Sequence, residues 1–316
     1  NKTRQMILSI LFILVGVVFV IKGADIMTDG AVALAQRMNI PQMVIGLTIV
    51  ALGTSMPELF VSFMSAIKGT PDLAVGNVVG SNIFNTFLIV GVAAMVAPMS
   101  ILRSTVRKDI PIALVSSILL LMLCMDSDIN RWDAAILFIG LVAFVAFNLY
   151  VAKNNPSEES EEGRKNYSVL KSVLFIVLGL AGLVVGSNLF VDGASKIAAS
   201  LGVSEAVIGL TVVAGGTSLP ELATSVVAAR KGQSAIAMGN VIGSNVYNIL
   251  MILGVTGLIQ PMEIKGITTI DFVMMLLGVV LLWFFSYTKF KVERWEGAFL
   301  SSAFLAYMVF LVSQAV

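Results

Sequence analysis

The feature that most restricts the fold of this chain is a duplication at a fixed offset. The string GTSMPEL (Gly53 to Leu59) returns as GTSLPEL (Gly216 to Leu222), and GNVVGSNIFN (Gly76 to Asn85) returns as GNVIGSNVYN (Gly239 to Asn248). Glu58 and Glu221, Ser81 and Ser244, Asn85 and Asn248, and Pro98 and Pro261 all stand 163 positions apart. Roughly 35 of the 77 positions from Gly23 to Met99 are identical to their partners without a gap, far above chance for unrelated apolar helices. All four strings lie in apolar runs. At about 20 residues per crossing, the runs read 6–22, 42–67, 73–98, 109–126 and 133–152, then 169–191, 204–229, 235–260, 268–287 and 296–314. Five crossings per half is an odd number, so the second half must enter the membrane upside down relative to the first. The expected fold class is therefore all-α: a polytopic membrane protein with ten transmembrane helices as two inverted five-helix repeats. The repeats are read as residues 1–152 and 168–316, joined by a hydrophilic linker, 153–167, too short to house a regulatory domain.

Composition narrows the function. Apolar residues make up 58% of the 316 and charged residues 12%, against about 25% charged in soluble domains, and the mean hydropathy is +0.96. The run at 6–22 has an internal counterpart near 170–185, so it is read as a first crossing and not a signal peptide. A net charge of +1 points to neither nucleic acid nor an acidic macromolecular partner, and no obligatory protein partner is evident. There is no histidine and one cysteine, Cys124. A disulfide framework and a soft metal site are both excluded, and any ion site must be built from oxygen. With no nucleophile–base pair, phosphate loop or cofactor motif, neither an enzyme nor a cofactor is expected.

Orientation follows from the basic residues. Arg37, Arg103, Arg107, Lys108, Lys153, Arg164, Lys165, Arg230, Lys231, Lys289, Lys291 and Arg294 fall on one side of the ten crossings. Lys2, Arg4, Lys68, Arg131, Lys196 and Lys265 fall on the other. The positive-inside rule then puts both termini outside, in a cell (inner) membrane.

Among the acids, only Glu58 and Glu221 are read as sitting near the middle of a crossing, where each would cost about 3 kcal/mol on an insertion scale. Equivalent places in inverted halves bring both to the midplane, where a divalent cation neutralises the pair. Each follows a proline. Pro57 and Pro220 have no N–H to give to Gly53 and Gly216, so the helix is expected to break and leave carbonyls around Ala51 to Thr54 and Ala214 to Thr217 for a cation. Thr54 and Glu58, and Thr217 and Glu221, are four apart and share a face. In the next crossing Asn77, Ser81 and Asn85, and Asn240, Ser244 and Asn248, form an inward polar stripe. Gly76 and Gly80, and Gly239 and Gly243, let that stripe approach the glutamates. A shell of carboxylates, amides, hydroxyls and carbonyls suits Ca²⁺, with its 6 to 8 oxygens, and Na⁺; it suits Mg²⁺ less well.

In these motifs the sequence resembles the cation/calcium antiporter superfamily, specifically its prokaryotic sodium/calcium exchangers, over the whole chain. The resemblance implies exchange of about three Na⁺ for one Ca²⁺ by alternating access, with the long first and sixth helices sliding across the ion-holding second, third, seventh and eighth. It implies that Glu58 and Glu221 are shared by both ions and that Thr54 and Thr217 add carbonyls to calcium. Ala51, Ser55, Ser81, Ala214, Ser218 and Ser244 would be sodium ligands, and Asn85 and Asn248 would fill the remaining central positions. Potassium-dependent relatives, and some archaeal ones, carry Asp at the position of Asn248; this chain has Asn in both halves, so potassium-independent exchange is expected here. The alternatives are a cation/proton exchanger, a potassium-dependent exchanger, and a channel or passive cation-binding protein. Two ionised glutamates balance one Ca²⁺ or two Na⁺ equally well, so the stoichiometry rests on the resemblance.

Overall fold

The computed structural model describes residues 2–154, 167–201 and 214–315. Linker residues 155–166, with Arg164 and Lys165, and the start of the seventh expected crossing, with Glu205, lie outside the described residues. The helices are α1 (Lys2–Met38), a broken pair α2 (Gln42–Thr54) and α3 (Met56–Ile67), α4 (Pro71–Val96), α5 (Thr105–Asp126) and α6 (Arg131–Asn154). The second half repeats them as α7 (Val169–Ser200), α8 (Ala214–Thr217) with α9 (Leu219–Arg230), α10 (Ser234–Ile259), α11 (Thr269–Lys289) and α12 (Arg294–Ala315). Seven of these are by themselves long and apolar enough to cross a membrane, and the bent pair α2–α3 makes an eighth. Helices α9 and α12 occupy the two remaining expected runs. Large apolar side chains such as Leu170, Ile139 and Val309 are exposed on the outside of the bundle, as a chain solvated by lipid requires.

The inverted symmetry is visible in the contacts. Helices α1 and α7 cross along glycines spaced by seven. A Cβ on Gly16 would lie 2.6 Å from the Gly186 carbonyl oxygen, and one on Gly23 would lie 2.7 Å from that of Gly179. Gly30 meets the Ser172 carbonyl in the same way, and Gly193 meets that of Ser9. Each contact maps onto another when 163 is added to one partner and subtracted from the other. Only hydrogen fits there, so the two backbones run in direct contact. The loops obey the same rule through two short antiparallel clips. β1 (Met99–Ser100) pairs with β4 (Lys291–Val292), and β2 (Asp128–Ile129) pairs with β3 (Met262–Glu263). Met99 faces Val292 in one clip and Met262 faces Ile129 in the other, so each clip ties one half to the other.

The structure corrects the length of the first and sixth crossings. Helix α1 does not end at residue 22; it continues to Met38, which places Asp25 and Asp29 inside a helix and leaves the two glutamates not alone among helical acids. The compensation comes from far along the chain: Lys231, just past α9, reaches Asp25 at 2.6 Å and Asp29 at 2.8 Å. Helix α7 likewise extends past residue 191 to Ser200 and includes Asp192.

Candidate cation-binding site

The helix breaks arise locally, as the prolines require. Ser55 (φ −82°, ψ 6°) interrupts the first and Ser218 (φ −91°, ψ 8°) the second, each two residues before the proline. The first pair bends by 45°. Pro57 and Pro220 sit in the opening turns of α3 and α9, where a missing N–H costs nothing. Glu58 and Glu221 follow in those same first turns, at the positive end of the helix. Both are buried, with 1% and 2% of their surface exposed.

The two halves exchange hydroxyls. Ser218 donates to Glu58 Oε1 at 2.9 Å, and Ser55 donates to Glu221 Oε1 at 3.1 Å. Each serine therefore serves the opposite half's glutamate. This interlock puts both carboxyl groups at the boundary between halves. Thr54 also donates to Asn240 Oδ1 at 3.0 Å. The carbonyl of Ala51 accepts from the Ser55 N–H at 3.1 Å and the Thr54 hydroxyl at 3.3 Å, so it is engaged within its own turn. In the other half the Gly216 carbonyl accepts from Ser187 of α7, and Ala214 is the first described residue of α8.

The polar stripes of α4 and α10 divide into support and lining. Asn77 donates to the Glu58 backbone carbonyl at 3.2 Å and to Ser62 at 2.9 Å; Asn240 donates to the Glu221 carbonyl at 3.3 Å and to Ser225 at 3.0 Å. These amides lock α4 to α3 and α10 to α9. The Ser81 and Ser218 hydroxyls hydrogen-bond each other at 3.3 Å, while the buried Ser244 hydroxyl has no partner. Asn85 and Asn248 lie in π-helical turns, Phe84–Ile89 and Asn248–Leu253, a wider winding often found at functional sites. Asn85 Nδ2 donates to Asn245 Oδ1, and Asn248 Nδ2 donates to Asn82 Oδ1, both at 3.0 Å. The close approach expected of the glycines occurs at Gly239 and Gly243, where a Cβ would lie 2.9 Å from Gly46 Cα and 2.7 Å from the Leu47 carbonyl oxygen. The positions facing Gly76 and Gly80 by the same register fall among residues 202–213.

Among the buried side-chain atoms without a hydrogen-bond partner, the carboxylate and amide oxygens are Glu58 Oε2, Glu221 Oε2, Asn85 Oδ1 and Asn248 Oδ1. An orphaned buried acceptor costs about 1–3 kcal/mol, more when charged. These four form two symmetry-related pairs, every one an oxygen, the donor type that a hard cation takes. A cavity of about 310 Å³ beside Asn77 and Ser81 runs out to Asp271 and Tyr307, whose hydroxyl donates to Asp271 at 2.6 Å. Reading the stripes at a spacing of four missed Ser62, Ser225, Asn82 and Asn245. Their identity across the 163-residue offset was the available signal.

A bundle of inverted halves with paired acids at their boundary defines a secondary transporter of cations. The sequence pattern of the sodium/calcium exchanger protein family matches residues 8–150 and, a second time, residues 171–313. The chain belongs to the sodium/calcium exchanger family. CaxA of Alkalimonas amylolytica, an antiporter by name, is 37% identical over 98% of this chain and all of its own length. The sodium/calcium exchanger MaX1 of Methanosarcina acetivorans is 34% identical over 96% of this chain and 98% of its own. The solved structure of the sodium-calcium exchanger NCX_Mj soaked with 2.5 mM Na⁺ and 10 mM Sr²⁺ superposes with a TM-score of 0.85 at 32% identity, covering 96% of this chain and 99% of that one. The protein is thus a multi-pass integral membrane exchanger.

Proposed function

We propose that the protein exchanges Na⁺ for Ca²⁺ by alternating access, at one site between its halves, with Glu58 and Glu221 as the carboxylates both ions share. The observation that carries this reading is the set of four buried, unpartnered oxygens on Glu58, Glu221, Asn85 and Asn248. Thr54 and Thr217 add carbonyls to a bound Ca²⁺; Ala51, Ser55 and Ser81, with Ala214, Ser218 and Ser244, serve Na⁺. The two functional units are residues 1–152 and 168–316. About three Na⁺ move per Ca²⁺, and the central amides, neutral in both halves, make transport independent of K⁺. Both termini face outside a cell (inner) membrane.

The test is Ca²⁺ uptake into proteoliposomes under separate Na⁺, K⁺ and pH gradients. A Na⁺ gradient alone drives uptake, and K⁺ changes nothing. Uptake driven by a pH gradient in Na⁺-free buffer, or uptake without any counter-ion, refutes the proposal.

A further inference from the structure

We infer that Asn82, a residue outside the ion-lining set, decides which end of the Asn248 amide faces the site. A primary amide offers an oxygen at one end and two N–H donors at the other, so Asn248 is a ligand one way round and a repulsive dipole the other. The choice is made one residue away. Asn82 Nδ2 donates to the backbone carbonyl of Asn245 at 3.2 Å, and a carbonyl can only accept. That contact fixes the Asn82 nitrogen, and its oxygen must then be the end turned to Asn248. With Asn82 Oδ1 accepting from Asn248 Nδ2 at 3.0 Å, the Asn248 oxygen is the end left over. It is the buried atom without a partner. Asn82 is itself 1% exposed, so no water competes for either bond.

The arrangement is not mirrored. Asn245 accepts from Asn85 in the equivalent way, but the Asn82 carbonyl that would anchor it already accepts the Thr86 hydroxyl at 2.5 Å. The counterpart of Thr86 in the other half is Ile249, which has no hydroxyl to bring to the Asn245 carbonyl; that oxygen takes Asn82 Nδ2 beside the Asn248 N–H. The threonine-to-isoleucine difference between the repeats coincides with the second half's pinned amide. Asn82 is a positioning residue, and the inference rests on reading Asn248 as an ion ligand.

The experiment compares Ca²⁺ dependence of Na⁺-driven uptake for Asn82→Leu, Asn248→Leu, Asn248→Asp and the double variant Asn82→Leu/Asn248→Asp in proteoliposomes. Asn82→Leu is expected to raise the half-saturating Ca²⁺ at least about tenfold while the maximal rate stays within twofold. A carboxylate presents oxygen whichever way it turns, so adding Asn82→Leu to Asn248→Asp changes the half-saturating Ca²⁺ by less than threefold. That double variant also reports on folding. Equal losses from Asn82→Leu in both backgrounds mean a merely structural role and overturn the inference. So does a silent Asn82→Leu alongside an impaired Asn248→Leu, which leaves the ligand reading standing. Wild-type Ca²⁺ dependence in Asn248→Leu overturns the ligand reading itself, and this inference with it.

Discussion

Replacing Glu58 with glutamine tests the proposed site most directly, because it keeps the shape and removes one charge. At an effective dielectric near 20, two unit charges about 4 Å apart interact by roughly 4 kcal/mol, so a carboxylate facing a doubly charged ion gains roughly 8. The mutual repulsion of Glu58 and Glu221 is the same with and without the ion, so it drops out of the difference in affinity. A glutamine oxygen keeps its dipole toward the ion and recovers on the order of half of that attraction, leaving a loss of about 4 kcal/mol, or roughly a thousandfold in Ca²⁺ affinity. For Na⁺ the attraction is half as large, and the loss is halved with it. Glu58→Gln is therefore expected to abolish Na⁺-driven ⁴⁵Ca²⁺ uptake into proteoliposomes at micromolar Ca²⁺, while the purified protein retains its thermal melting temperature and still responds to Na⁺ in calorimetry. The Ser218 hydroxyl can bond a glutamine oxygen as it bonds Glu58 Oε1, so the fold is not the casualty. Uptake with a half-saturating Ca²⁺ within threefold of wild type refutes the charge-compensation argument.

Three further outcomes follow from the inverted contacts. Ser55→Ala and Ser218→Ala each delete one hydroxyl-to-carboxylate bond, worth about 1.5–3 kcal/mol, and because the bonds are symmetry mates the two variants should raise the half-saturating Ca²⁺ by similar factors in the same uptake assay; a hundredfold disparity contradicts the interlock. Gly23→Ala inserts a methyl where the Gly179 carbonyl oxygen lies 2.7 Å away, so it should destabilise by about 1–3 kcal/mol, read as a lowered melting temperature in detergent, with Gly179→Ala matching it. Paired cysteines at Ser100 and Lys291, and at Asp128 and Glu263, should form disulfides on oxidation without stopping exchange, since those residues already face each other in the clips; loss of transport that reductant restores argues against fixed clips.

The architecture was legible because lipid makes its rules strict. Apolar runs of crossing length, an odd number per half, and acids that hydrocarbon penalises leave few choices, and the ten runs and paired glutamates emerge from them directly. Helix ends were not legible. Asp25 and Asp29 look like the end of the first crossing until Lys231, 202 residues beyond Asp29, is seen to neutralise them. The direction of the hydroxyl contacts was equally hidden, since a spacing of four ties Thr54 to Glu58 on paper whereas folding delivers Thr54 to Asn240 of the other half. The clips are two residues long each and leave no period to read. Asn82 and Asn245 escaped because they lie between the residues that a four-residue stripe selects, although their identity at the common offset marked them.

The clips deserve a mechanical reading. They rivet loops beside α4, α5, α6, α10, α11 and α12 across the pseudo-two-fold, one at each face of the bundle, so that the two halves form a closed frame that neither shears nor pulls apart. Among the described residues α1 and α7 carry no such rivet; they are fastened chiefly to each other, backbone against backbone, like a single bar laid across the frame. In the proposed alternating access, that bar is the element no clip holds to the frame.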